Sequence, residues 1–313
     1  MEISVIVPVY NKEVYVERCL QSCLSQSFND YEIIVVDDGS TDNSSEKCDI
    51  IAKDNAIIKV FHTKNSGVTA ARKFGIQHSA GKYICFVDAD DELLFNSLQS
   101  LHQAMVQNDA DEIIGTFVTQ LNKHVSTGKK GWADSSILIK ELLSNSTCMC
   151  VLWGILFKKE LLDNCLDSPA QIRTGEDILM QILCLLKSPK VYFIEPKVYL
   201  YYKDLPNNRK MTLEDEILYD NILRKALMQK WEDYKNFFLF HQIKMYENFI
   251  NEKIFSVYDK YYKHQGLNQC KEMSLADKIV INIPPFLSYL PIRIYKHILK
   301  KSGYGKKENG EKD

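Results

Sequence analysis

The sequence predicts an α/β protein: a mostly parallel, twisted sheet with helices on both faces, followed by a helical C-terminal region. Two observations carry this. Between residues 3 and 118, short β-branched and apolar runs alternate with segments of helical spacing. Strands and helices alternating at this pace make βαβ units, and such units build a parallel sheet covered by helices. From about Leu213 to His264 the spacing is helical throughout, rich in aromatics and lysines.

Ile3 to Val9 is the first strand, and the spacing of Val16, Cys19, Leu20, Cys23 and Leu24 predicts a helix over about 13–26. Tyr31 to Val36 is the second strand, closed by Asp37-Asp38-Gly39-Ser40, and Thr41-Asp42 opens a helix to about Asp54. Ile57 to Phe61 is the third strand. Asn65-Ser66-Gly67 turns the chain into a helix through Ala70, Ala71, Phe74 and Ile76. Tyr83 to Val87 is the fourth strand, a helix follows from about Phe95 to Gln107, and Glu112 to Val118 is the fifth strand. Residues 120–133 are polar and read as a loop or hairpin. An apolar helix runs from Ile178 to Leu186, and Val191 to Tyr202 is strand-like around Pro196.

Composition sets bounds. A chain of 313 residues is one large domain or two, and 45% hydrophobic against 26% charged residues supplies a substantial core. A net charge of −2 provides no global basic field for nucleic acid. The nine cysteines are an odd count with no paired CxxC array, so buried free thiols in a reducing cytoplasm are expected, not zinc or disulfides. Met1 to Ser4 reads as the start of the first strand, not as a signal peptide.

Chemistry concentrates at Asp88-Ala89-Asp90-Asp91-Glu92, where four carboxylates fall within five positions after a buried strand. Carboxylates packed this closely raise one another's pKa unless a cation sits among them, and a hard divalent ion, Mg²⁺ or Mn²⁺, suits oxygen ligands. The plain alternative is an acidic helix start. Parallel sheets bind ligands beyond the carboxyl ends of their strands. That rule puts Pro8 to Asn11, Asp37 to Ser40 and Asp88 to Asp91 on one rim.

Val5-Ile6-Val7-Pro8-Val9-Tyr10-Asn11, Val36 to Asp42, Asn65-Ser66-Gly67 with Ala71-Arg72, Val87 to Asp91, Trp153 to Lys158 and Gly175-Glu176-Asp177 follow in order. Together they resemble a family 2, inverting glycosyltransferase with the Rossmann-like glycosyltransferase-A nucleotide-diphospho-sugar-binding fold, over roughly Ile3 to Thr212. The resemblance implies that Pro8 and Tyr10 line the nucleobase slot, Asp38 meets the uracil edge, and Asn65, Arg72 and Ala89 belong to the nucleotide-sugar site. Asp88 and Asp90 match Asp-x-Asp, with Asp90 on the metal and Asp88 between ribose and metal. Asp91 and Glu92 are left to cap the next helix. Asp177 is implied as the base that takes the acceptor proton, with Glu176 orienting the acceptor; helix capping by the pair is the alternative. Trp153 stacks on sugar or packs in the core. Gly154 departs from the asparagine expected there. Lys203, Arg209 and Lys210 either close over the diphosphate or form a solvated loop.

The expected activity is a metal-dependent hexosyl or N-acetylhexosaminyl transfer from a nucleoside-diphosphate sugar, uridine-based, to a glycan or lipid-linked acceptor in bacterial surface polysaccharide assembly. A non-catalytic sugar-nucleotide-binding partner and a polyprenyl-phosphate sugar synthase are the alternatives. A nucleotidyltransferase would want a glycine-rich basic loop where Pro8-Val9-Tyr10-Asn11-Lys12 stands. The organisation expected is a nucleotide-sugar half (1–120), an acceptor and base half (121–212), a helical region (213–305) and a disordered tail (306–313). Residues 279–305 end in a basic amphipathic stretch, from Ile292 to Lys301, that suits either an anionic membrane surface or a helix packed on the protein. The expected setting is cytoplasmic or peripheral on the inner face of the plasma membrane, with homo-oligomerisation open.

Overall fold

A computed structural model describes residues 1–120, 124–125, 127–146, 151–172, 174–202 and 212–289. Its elements are β1 (Ile3–Val9), α1 (Val16–Leu24), β2 (Tyr31–Asp37), α2 (Ser44–Lys53), β3 (Ile58–His62), α3 (Val68–His78), β4 (Tyr83–Phe86), β5 (Glu92–Leu93), α4 (Ser97–Asn108) and β6 (Glu112–Thr119). There follow β7 (His124–Val125), β8 (Gly131–Ala133), α5 (Ser135–Leu143), β9 (Ile155–Lys158), α6 (Glu176–Leu186) and β10 (Val191–Tyr201). The last helices are α7 (Leu213–Leu227), α8 (Trp231–Asn251), α9 (Val257–Lys260) and α10 (Leu275–Asn282). Two compact units emerge: Met1–Ile137 with Met149–Arg209, and Leu138–Cys148 with Lys210–Asp313. The segment Leu138–Cys148, expected with the acceptor half, groups with the helical unit.

The first unit holds a sheet in the order β3-β2-β1-β4-β9-β6-β10-β5, with β7 on β6 and β8 on β10. β3, β2, β1 and β4 are parallel. Every residue of β1, β2 and β4 is buried, as befits strands covered on both faces. Gly75 of α3 lets that helix press onto β1, since a Cβ there would lie 2.6 Å from Ile6 Cγ2. The other half of the sheet is mixed. β9 runs antiparallel to both β4 and β6, while β6 and β10 are parallel. The polar stretch 120–133 contributes β8, which pairs with β10 at Val191 to Phe193.

Glu112 is fully buried in β6, and burial pushes its carboxyl up to about 8. The native state therefore holds a proton that the unfolded chain has released from about pH 4.5 upward, so this group costs stability as pH rises through that window. Between pH 5 and 8 the loss is about 1.4 kcal/mol per pH unit. Glu112→Gln is expected to flatten that slope in urea titrations; a slope as steep as the parent's would show that Glu112 does not cause it.

In the helical unit, Thr212 and Asp215 form a capping box at α7, and Ser274 and Asp277 form one at α10. Leu239, Ile243, Tyr246, Phe249, Ile250 and Tyr262 are among the residues of its core. No helix among the described residues is long and apolar enough to cross a membrane. The basic stretch from Ile292, with Lys203, Arg209 and Lys210, lies outside the described residues.

Candidate active site

The carboxyl ends of the parallel strands build the site by interlocking their loops. Asp38 donates its N–H to the Val9 carbonyl at 2.8 Å, so β1 and β2 end in register. Asn11 then joins the two following loops, donating its N–H to Ser40 Oγ and accepting the Thr41 N–H on Oδ1. Asp37 holds its own turn, accepting from Ser40 N–H and Ser45 Oγ. Those hydrogen bonds keep its pKa low despite the opposing effect of burial, with His62 contributing as a third partner. Asp38 reaches across to the turn before α3, where its two oxygens accept the Ser66 and Gly67 N–H groups at 2.8 Å each. Gly67 sits at φ +91°, which lets this turn enter the helix.

The acidic run lies beside these loops, and its four acids have different neighbours. Asp91 is buried, accepting from the Tyr199 hydroxyl at 3.0 Å and from the Tyr202 N–H at 2.8 Å. Burial pushes its carboxyl up to about 8, and the charges of Asp88 and Asp90 add to the rise. Tyr199 also accepts the Asp88 N–H on its hydroxyl. Glu92 accepts from Tyr202 and pairs with Arg18, whose guanidinium lies 3.7 Å from the Tyr202 ring centroid. Asp90 pairs with Lys12, and its carbonyl accepts from Arg18 Nη2 at 2.6 Å.

Asp88 and Asp177 are joined by a single side chain. Arg72 donates from Nη2 to Asp88 Oδ1 at 3.0 Å and from Nη1 to Asp177 Oδ1 at 2.7 Å, and it is 3% exposed. Asp177 and the buried Glu176 occupy the first turn of α6, which Gly175 opens with φ +83°. Burial alone would lower the Arg72 pKa; the Asp177 and Asp88 charges outweigh it and raise it. Burial raises the pKa of Asp88, and Arg72 opposes that rise. Arg72 and Asp177, 105 positions apart in sequence, are thus joined through a guanidinium that Asp88 shares.

A family profile described as "Glycosyl transferase family 2" matches residues 4–166. The chain belongs to glycosyl transferase family 2. GlyG of Streptococcus pneumoniae is 34% identical to this transferase over 212 residues, 64% of this chain and 70% of GlyG. GlyA of the same organism is 31% identical over 64% of this chain, but the match spans only 30% of GlyA. EpsJ of Bacillus subtilis, an uncharacterized glycosyltransferase, is 30% identical over 66% of this chain and 62% of its own length. Among solved structures, S. aureus TarS 1–349 in complex with UDP covers 97% of the transferase and 92% of that chain, at TM-score 0.69 and 18% identity. The same TarS segment with UDP-GlcNAc matches at TM-score 0.61 and 18% identity. This likeness shows the fold, the glycosyltransferase-A type with its helical C-terminal region.

Several expected site residues stand differently in the structure. Pro8 lies buried inside β1, not on the rim; proline is tolerated because β4 stops pairing with β1 at Ile6. Arg72 bridges two acids instead of presenting a free guanidinium to a nucleotide. Trp153 is 5% exposed and stacks on Tyr199 and Tyr201 at centroid distances of 4.4 and 5.2 Å, which makes it core and leaves no surface for a sugar. Asp91 and Glu92 cap nothing, since Glu92 is in β5 and α4 begins at Ser97. Asp38 is buried, with both oxygens on backbone N–H groups. Ala89 is buried, whereas Tyr10 and Asn65 are exposed.

Lys12, Arg18, Tyr199 and Tyr202 were not picked out by sequence. Lys12 had a signal, a lone cation immediately after the Val9-Tyr10-Asn11 strand end. The tyrosines had none, because their hydroxyls meet the acids only through pairing of β10 with β5.

Proposed function

We propose that this transferase moves a sugar from a uridine-diphosphate donor to an acceptor hydroxyl with inversion at the anomeric carbon. The acceptor class is a glycan or lipid-linked oligosaccharide of a bacterial surface polysaccharide. The observation that carries the reading is the Arg72 bridge, which brings Asp177, the candidate base, to the acid that opens the Asp-x-Asp run. UDP and UDP-GlcNAc are bound by TarS, a protein of the same fold, which supports the donor class.

Each residue's work follows from its place. Exposed Tyr10 offers a flat face to the nucleobase, and Asp38 keeps the surrounding loops in register. Asp177 takes the proton from the acceptor hydroxyl as its oxygen attacks the anomeric carbon. The bond from that carbon to the diphosphate oxygen breaks, and the nucleoside diphosphate leaves with the electron pair. Arg72 holds Asp177 in orientation. Lys12 and Arg18 place positive charge beside Asp90, near where the leaving group's charge builds.

Asp88 and Asp90 suit a hard divalent cation. Both are partly exposed carboxylates, and a Mg²⁺- or Mn²⁺-type site needs only one or two of them beside substrate phosphates. Such an ion, held there, would neutralise charge on the diphosphate. Asp90→Ala is expected to abolish metal-dependent UDP binding in calorimetry with and without Mn²⁺. Unchanged metal dependence would remove Asp90 from the site. Release of UDP and a glycosylated product from a panel of UDP-sugars tests the activity itself, and binding without turnover would favour a non-catalytic sugar-nucleotide-binding role.

A further inference from the structure

The helical unit contains a side-chain cluster that the proposed reaction does not use. Glu216 and Asp220 lie four apart on α7, hence on one face of the helix, and His241 is on α8. One potential ligand atom from each lies within 4.8 Å of the others. Among the described residues this is the only group of three or more histidine, cysteine or acidic side chains so placed.

Hydrogen bonding divides the oxygens of each acid. Asp220 Oδ2 accepts from Gln242 Nε2 at 2.8 Å and from the Tyr261 hydroxyl at 2.7 Å, while its Oδ1 is buried without a partner. Glu216 Oε1 faces the Tyr262 hydroxyl at 3.5 Å, while Oε2 is buried without a partner. His241 Nε2 is also buried and unpartnered. Buried polar atoms left this way cost free energy, and three within one cluster need a reason. Outer hydrogen bonds that aim the inner atoms are what metal sites use to orient their ligands.

We propose that Glu216, Asp220 and His241 bind a divalent transition-metal ion, Zn²⁺ foremost, between α7 and α8. One imidazole nitrogen and two carboxylate oxygens suit Zn²⁺. Tetrahedral ligands at about 2.0–2.1 Å from the ion stand about 3.4 Å apart, so the three atoms need close by no more than about 1.5 Å. Burial raises the pKa of Glu216, with the Asp220 charge adding to it; burial also raises that of Asp220 and lowers that of His241. All three shifts disfavour charge in a metal-free cluster, and an ion would reverse them while releasing protons.

The test uses the full chain, stripped with a chelator and dialysed. Titration with Zn²⁺ should show one equivalent bound at this site, with a rise in melting temperature of about 5 °C. Glu216→Gln and His241→Gln should each weaken that binding at least about tenfold. Asp90→Ala should leave it intact, which separates this site from any ion at the nucleotide-sugar site. Should either cluster variant fail to fold, hydrogen exchange on the unaltered chain reads the same question: Zn²⁺ should slow exchange in α7 and α8. Absence of stoichiometric binding overturns the proposal, and so does binding that survives both cluster variants or slows exchange only around Asp88 to Asp91. The cluster would then be a carboxyl–carboxylate pair sharing a proton beside a neutral histidine.

Discussion

Asp177→Asn is expected to lower the rate of sugar transfer about 10²–10⁴-fold, the usual contribution of a general base, while UDP affinity stays within about threefold. Asparagine keeps an oxygen that can accept from Arg72, so the local geometry survives and only the proton acceptor is lost. The carboxylate is held at 2.7 Å from Arg72 Nη1 on the first turn of α6. Comparing single-turnover transfer with UDP binding by calorimetry checks both halves. Full activity in the variant would assign the proton to another group. An equal fall in UDP affinity would make Asp177 a binding residue instead.

Arg72→Met is expected to destabilise the protein by about 1–3 kcal/mol, the cost of leaving two partly exposed carboxylates without the guanidinium that pairs them. Arg72 is 3% exposed and its two hydrogen-bonded acids lie on β4's exit loop and on α6. Methionine fills part of the volume but leaves Asp88 and Asp177 facing each other uncompensated. Lysine should not rescue it fully, since one ammonium lacks the planar fork that serves two carboxylates at once. The double variant Arg72→Met with Asp177→Asn should lose less than the sum of the two single changes, because they share one interaction. Denaturant titration measures all three. Additive losses would show that Arg72 and Asp177 act independently.

Much of the fold is legible in the sequence. The runs at Ile3, Tyr31 and Tyr83 became buried parallel strands, with the half-exposed run at Ile58 beside them, because apolar sequence between turn residues admits few alternatives. The strand-end rule then brought Tyr10, Asp38 and the acidic run to one rim. β9 was harder. Its apolar run, Ile155 to Phe157, does not reveal that it enters antiparallel between β4 and β6, since direction is set by the partners.

The candidate site divides along the same line. The sequence by itself determined which residue types stand at the strand ends, because motif and period are local properties. It also marked the acids as one cluster. Only the tertiary structure decided what each acid does. Asp91 goes to Tyr199 and Tyr202, Asp90 to Lys12, and Asp88 shares Arg72 with Asp177. Trp153 was equally undecided between sugar and core until the sheet closed over it. These partners come from strands and helices far apart in the chain, and a hydrogen bond between them exists only once the sheet's register has been set.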